Sequence, residues 1–137
     1  MLQSEPARPA VLLVDDDEML RRALARTLDY AGFRVLQAGD GEQALMIVRR
    51  LATRIALIVT DINMPVMNGL DFARALEPLH SSVPILFITG ALPRSLASLS
   101  LREAGEHLLL KPFAPDMFLE TINSILATGS HERRTHA

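Results

Sequence analysis

Apolar and polar residues alternate along this chain in two distinct rhythms. Ala10 to Val14 is a continuous apolar run of strand length with no helical period, and it stops abruptly at Asp15-Asp16-Asp17. A buried strand is predicted there. From Leu20 onward apolar residues recur at Leu20, Leu24, Leu28 and Ala31 with arginines between them, and Gly32 follows at a C-cap position, so an amphipathic helix is predicted. The pair then repeats: Phe33 to Ala38 reads as a strand, Gly39-Asp40-Gly41 as a turn, and Ala44, Leu45, Val48 and Leu51 as a second helical stripe. Ile55 to Thr60 is a third strand running into Asp61, Met64 to Gly69 breaks the chain, and Leu70, Ala73 and Leu76 carry a helix that Pro78 ends. Val83 to Ile88 is a fourth strand ending in Thr89-Gly90, and Ser95 to Ala104 a fourth helix of muddled period. His107 to Leu110 is a fifth strand running into Lys111-Pro112, and Phe118, Ile122 and Ile125 mark a last helix.

Strands that alternate with helices and read as unbroken apolar runs require a parallel sheet covered on both faces. The fold class is therefore α/β. Right-handed crossovers leave few topologies for five βα units, and the doubly wound order 2-1-3-4-5 is the common one. The expected division is a disordered lead over 1–8, one domain over 9–127 and a flexible tail over 128–137, since neither end carries an apolar period.

Composition narrows the function classes. The 137 residues, 49% hydrophobic, suffice for one domain with a proper core. A formal net charge of -2 gives no basic field for nucleic acid or an anionic membrane, so no direct nucleic-acid binding and no membrane association are expected. The absence of cysteine removes disulfides, thiolate metal sites and thiol nucleophiles and fits a reducing compartment. No apolar run approaches the ~20 residues that span a bilayer, and no secretory signal is visible, so the cytoplasm is the default. His80, His107, His131 and His136 lack the paired spacing of metal ligands.

In open α/β sheets the ligand crevice lies beyond the carboxyl ends of the strands, where strand order reverses. Strands 1 and 3 flank that point, and Asp15, Asp16 and Asp61 follow their ends. Carboxylates gathered so closely raise one another's pKa or require a cation, and an all-oxygen donor set with room for water suits Mg²⁺. The neighbouring strand ends add a hydroxyl, Thr89, and an ammonium, Lys111, both suited to an anion such as a phosphoryl group. Singly, each residue has a plainer explanation: the acidic triplet as an N-cap with dipole-complementing acids (Asp17 above all), Asp61 as a loop residue, Thr89 as a strand-end hydroxyl, Lys111 as a solvated cation. Their placement after four different strands on one sheet edge is what scattered polar residues seldom produce.

The order of an acidic pair, an Asp, a Thr and a Lys-Pro resembles the response-regulator receiver family of two-component signalling over about Ala10 to Leu126. The segment Asp61 to Gly69 is similar to that family's phosphorylation loop, and Lys111-Pro112-Phe113 to its lysine motif. The resemblance implies a flavodoxin-like (βα)5 three-layer sandwich, with Asp61 as phosphoacceptor and Mg²⁺ bound by Asp16, Asp61 and the backbone carbonyl of Asn63, Asp15 acting largely through water. It implies Thr89 and Lys111 as phosphoryl ligands and a cis peptide before Pro112. It further implies a histidine kinase or histidine phosphotransfer domain as donor, an unidentified downstream protein or effector domain, and room for a homodimer formed on phosphorylation. Such a chain modifies itself at Asp61 rather than turning over a substrate. Two positions depart from the family pattern. Leu108 stands three residues before the lysine, where an aromatic is common, which leaves it a packing role at the switch position; Ala91 stands two residues after Thr89, where a longer polar side chain is common, which implies slow dephosphorylation.

Three other readings compete. A haloacid-dehalogenase-like phosphatase also uses a strand-end Asp and Mg²⁺, and Asp15-x-Asp17 fits its D-x-D superficially, but Met19 stands where that fold expects Thr or Val, and the chain lacks room for its cap. A flavodoxin-like binding module would carry a phosphate-binding loop after strand 1, where an acidic triplet stands instead. A receiver kept only as an interaction surface would not need all the phosphorylation residues that this chain has.

Overall fold

The computed structural model describes residues 8–51, 54–79, 83–91 and 107–136, with side chains described up to residue 128. Five strands, β1 (Ala10–Val14), β2 (Arg34–Ala38), β3 (Ile55–Asp61), β4 (Ile85–Thr89) and β5 (His107–Leu110), form one parallel sheet in the order β2-β1-β3-β4-β5. Four helices are described: α1 (Glu18–Tyr30), α2 (Gly41–Leu51), α3 (Gly69–Leu76) and α4 (Pro115–His136). The helix expected over Ser95 to Ala104 lies outside the described residues.

The continuous apolar runs of the strands are explained by burial on both faces. Alternate residues of one strand enter different cores, because successive side chains point to opposite sides of a sheet. Val11 and Leu13 pack with Leu57, Val59, Leu86 and Ile88 beneath α1 and α4, which contribute Leu24, Leu28, Phe118 and Ile122. Leu12, Val14 and Ile58 pack on the other face beneath α2 and α3, with Ala44, Leu45, Val48 and Phe72. Truncating a buried leucine or phenylalanine in either layer to alanine costs about 2–5 kcal/mol, so each layer separately holds the sheet.

Element ends follow local chemistry. Asp17 caps α1, its side chain accepting from the Leu20 N–H, and the chain leaves α1 through Gly32 at φ 99°, a left-handed conformation that glycine tolerates. Asn68 caps α3, accepting from the Leu70 and Asp71 N–H groups. Several boundaries differ from the periodicity: β2 begins at Arg34 rather than Phe33, and β3 includes Asp61. β4 begins at Ile85 and includes Thr89, which pairs in register with Leu110 and whose carbonyl accepts from the Lys111 N–H at 2.8 Å, so it belongs to the sheet rather than to the loop after it. The last helix runs to His136, well past Phe118, Ile122 and Ile125, which enter the core, and across the segment that lacks an apolar period. No described helix is long and apolar enough to cross a membrane.

Candidate functional site

The register of the sheet brings four strand ends to one edge. Val14 is level with Ala38 and Thr60, Asp61 with Ile88, and Thr89 with Leu110. Asp61 and Thr89 end β3 and β4, and Asp15 and Lys111 follow the ends of β1 and β5. Asp15, Asp61 and Thr89 are buried, whereas Asp16 is exposed at the rim.

One carboxylate oxygen from each of Asp15, Asp16 and Asp61 falls within 4.8 Å of the others. The acidic triplet thus divides its labour. Asp17 caps the helix, and Asp15 turns inward, where its Oδ1 accepts from the Asp17 N–H at 2.9 Å. Burial pushes the Asp15 carboxyl above the ordinary carboxylate value; the Asp17 N–H and the Lys111 ammonium offset part of that rise, while the charge of Asp61 adds to it. A buried acid under such pressure gains from added positive charge, and three oxygens at this separation suit a hard divalent ion. The residues therefore fit Mg²⁺.

Lys111 is the cation already present. Its Nζ donates to Asp61 Oδ2 at 2.9 Å and to Asp15 Oδ2 at 3.2 Å. Burial alone would lower its pKa, but the hydrogen bond it donates to Asp61 and the charges of both carboxylates outweigh that effect, and the ammonium is held above the usual lysine value. The Lys111–Pro112 peptide bond is cis, and Phe113 stacks on Phe118 of α4 with ring centroids 5.5 Å apart, which ties the lysine segment to the last helix.

Asp61 is held from both sides. Its Oδ1 accepts from the Asn63 N–H at 3.0 Å, leaving Oδ2 to Lys111. Behind it, Gly69 N–H donates to the Ile62 carbonyl at 2.8 Å, and a Cβ at position 69 would collide with the Asp61 carbonyl oxygen and the Ile62 backbone. The Asn68-Gly69 pair is thus more than a turn: it presses the start of α3 against the strand end that carries Asp61. Within the intervening loop Val66 adopts φ 70° while Met67 N–H donates to the Pro65 carbonyl at 2.7 Å, a tight turn rare for a β-branched residue.

The chain belongs to the response regulator receiver domain family, whose pattern it matches over residues 11–123. Among similar proteins, this receiver domain is 34% identical over 120 residues to the C4-dicarboxylate transport transcriptional regulatory protein DctD of Pseudomonas aeruginosa, covering 88% of this chain and 26% of that protein. It is likewise 34% identical over 125 residues to the DNA-binding response regulator MtrA of Mycolicibacterium paratuberculosis, covering 91% and 54% respectively. The chain therefore spans between about a quarter and a half of the length of these relatives. Among solved structures, it superposes on chemotaxis protein CheY4 of Vibrio cholerae with a TM-score of 0.77 at 33% identity, covering 86% of this chain and 98% of that one. A receiver domain protein of Methanospirillum hungatei, at 24% identity and a TM-score of 0.84 over 92% and 99% of the two chains, shares the fold. Receiver domains are signalling modules that bind Mg²⁺ at an acidic cluster, and Asp15, Asp16 and Asp61 form such a cluster here.

One site residue, Arg21, was not singled out by the sequence, and a second, Asn63, has a side-chain role there that the sequence did not give. Arg21 of α1 donates from Nη1 to the Asp15 backbone carbonyl at 2.7 Å and from Nε to Gln37 of β2 at 3.1 Å, bracing the acidic turn. The arginines among the apolar positions of α1 gave only a polar face, with nothing to single out Arg21. Besides the backbone carbonyl expected to face the metal, Asn63 has a side-chain amide that donates to Thr89 Oγ1 at 2.9 Å and to the Ala91 carbonyl at 3.0 Å. Leu108 is half-buried and packs on the Ile62 and Phe87 cluster, beside its register partner Phe87.

Proposed function

We propose that Asp61 is the phosphoacceptor of this receiver domain and takes its phosphoryl group from a phosphohistidine of a histidine kinase or a histidine phosphotransfer domain. The observation that carries this reading is the environment of Asp61: a buried carboxylate beside two further carboxylates, with Lys111 Nζ 2.9 Å from Oδ2. An Asp61 oxygen attacks phosphorus, the P–N bond to the donor imidazole breaks, and its electron pair stays on the departing nitrogen. Asp16, Asp61 and the Asn63 carbonyl would hold Mg²⁺ directly, with Asp15 acting through water. Bound there, Mg²⁺ neutralises the charge that gathers on the equatorial phosphoryl oxygens. The chain's own residues do the rest. Lys111 supplies a fixed ammonium for one phosphoryl oxygen, and the Asn63 N–H orients the nucleophile. Thr89 supplies a hydroxyl to a second oxygen.

The phosphoryl group modifies the domain once rather than passing through a turnover cycle, and the change is read by protein contact, including a homodimer or a downstream effector. Ala91, with no polar side chain beside the site, supports slow hydrolysis, because nothing at that position orients a water.

Incubation with Mg²⁺ and acetyl phosphate followed by intact-mass measurement tests the assignment. The wild type is expected to gain one phosphoryl group and Asp61→Asn none. Labelling of Asp61→Asn at the wild-type rate overturns it, and steady release of inorganic phosphate from p-nitrophenyl phosphate would instead favour a phosphatase.

A further inference from the structure

Thr89 meets Asn63 before it meets anything at Asp61. The Thr89 hydroxyl donates to the Ala91 carbonyl at 2.9 Å and accepts from Asn63 Nδ2 at 2.9 Å, and the Ala91 N–H approaches it at 3.3 Å. A hydroxyl has one proton and two lone pairs, so its capacity is filled. Asn63 Nδ2 also donates to the same Ala91 carbonyl at 3.0 Å, and because a carbonyl only accepts, that contact fixes which end of the amide faces Thr89. Amide, hydroxyl and carbonyl form a closed triangle at the end of β4. Among the described residues, Thr89 Oγ1 makes no hydrogen bond to Asp61.

We propose that the Asn63 side chain is a resting-state latch: it holds the Thr89 hydroxyl and the Ala91 carbonyl together, away from Asp61, and must let go before Thr89 can reach a phosphoryl oxygen. The inference rests on Asp61 being the phosphoacceptor. For Thr89 to donate to a phosphoryl oxygen, its proton must leave the Ala91 carbonyl. The two Asn63 bonds favour the arrangement in which it has not left. They exist in one state only, so they shift the balance between the two by their own net strength. Asn63 thereby acts through Thr89 as a positioning residue, with its backbone N–H on Asp61 and its amide on the switch hydroxyl.

The test is titration of the full chain with beryllofluoride, a phosphoryl mimic, at fixed Mg²⁺, for wild type, Asn63→Ala and Asn63→Ser, each alone and combined with Thr89→Val. Ser is too short to reach Thr89 and serves if Ala perturbs folding. Loss of bonds of ordinary net strength is expected to lower the midpoint by about three- to tenfold. Without mimic, the Gly90 and Ala91 amide resonances of Asn63→Ala should already lie part-way toward their mimic-bound positions in the wild type. A residue that merely supports the loop would not move them along that line. In the Thr89→Val background, which has no hydroxyl to hold, the lowering should disappear. An unchanged or raised midpoint in Asn63→Ala and Asn63→Ser overturns the latch while leaving the phosphoacceptor standing, as does a lowering that persists with Thr89→Val. Failure of the wild type to take up the mimic overturns the phosphoacceptor reading, and the latch with it.

Discussion

Lys111 Nζ donates to Asp61 Oδ2 across 2.9 Å, linking residues that follow β5 and end β3. The same ammonium reaches Asp15 at 3.2 Å, so one lysine serves two buried carboxylates in an edge that also holds Asp16. The site has more negative than positive charge, and that imbalance governs its response to metal and to pH.

Metal is expected to stabilise the fold through the carboxylates. Free Mg²⁺ at ten times its Kd adds about 1.4 kcal/mol to a protein that binds it only when folded, equivalent to a rise of about 3–5 °C in Tm. Thermal unfolding across a Mg²⁺ series should show this rise in the wild type and a smaller one in Asp16→Asn. Equal rises would remove Asp16 from the ligand set.

Asp15→Asn is expected to stabilise the metal-free protein near neutral pH. Burial raises the Asp15 pKa, so between the ordinary carboxylate value and the raised one the folded chain binds more proton than the unfolded chain, and stability falls as pH rises through that window. Asparagine removes the buried charge. Its advantage in urea unfolding should be largest above the window and fade as pH is lowered through it; an advantage that grows at low pH would contradict the assignment. With saturating Mg²⁺ the sign should reverse, because the variant loses a group that holds the ion.

Gly69→Ala is expected to lose about 1–3 kcal/mol, because the new Cβ meets the backbone of Asp61 and Ile62 rather than a flexible side chain. Displacing that strand end should also slow acetyl phosphate labelling. Gly90→Ala is the control, since its Cβ meets nothing within 4 Å, and a change of less than about 0.5 kcal/mol is expected. Equal urea midpoints for both variants would show that the approach at Gly69 does not matter.

Leu108→Met should cost less than about 1.5 kcal/mol and leave mimic-induced amide shifts distant from the site largely intact. Leu108 packs on Ile62 and Phe87 and has no polar tip, so its contacts depend little on the state of Asp61. Thr89→Ala should shrink those shifts. If Leu108→Met takes up beryllofluoride fully yet loses the distant shifts, leucine relays the signal.

Much of this protein was legible in its sequence because the relevant physics is local and periodic. A strand buried on both faces must be apolar throughout, a helix over a sheet must be apolar every three or four residues, and the right-handed crossover then leaves few orders for five units. The carboxylates, Thr89 and Lys111 could be placed at one edge because that order puts the ends of their strands there. Element ends were harder to read. Thr89 is claimed by the sheet through register with Leu110, and the last helix continues past its apolar stripe, neither of which a hydrophobic period records. Side-chain direction was harder still. The letters Asp15-Asp16-Asp17 do not say which carboxylate caps a helix, which stays at the rim and which is buried beside Lys111. Nor does Asn63 announce that its amide crosses to Thr89, or Arg21 that it grips the turn after β1. The Asn63 bond joins residues 26 apart in the chain and forms only where strand register has already placed both partners; the Arg21 bond spans six residues, but across a turn whose path the letters do not give. Composition and spacing therefore determined the fold and the chemistry of the edge; the packed structure decided which polar group on that edge holds which.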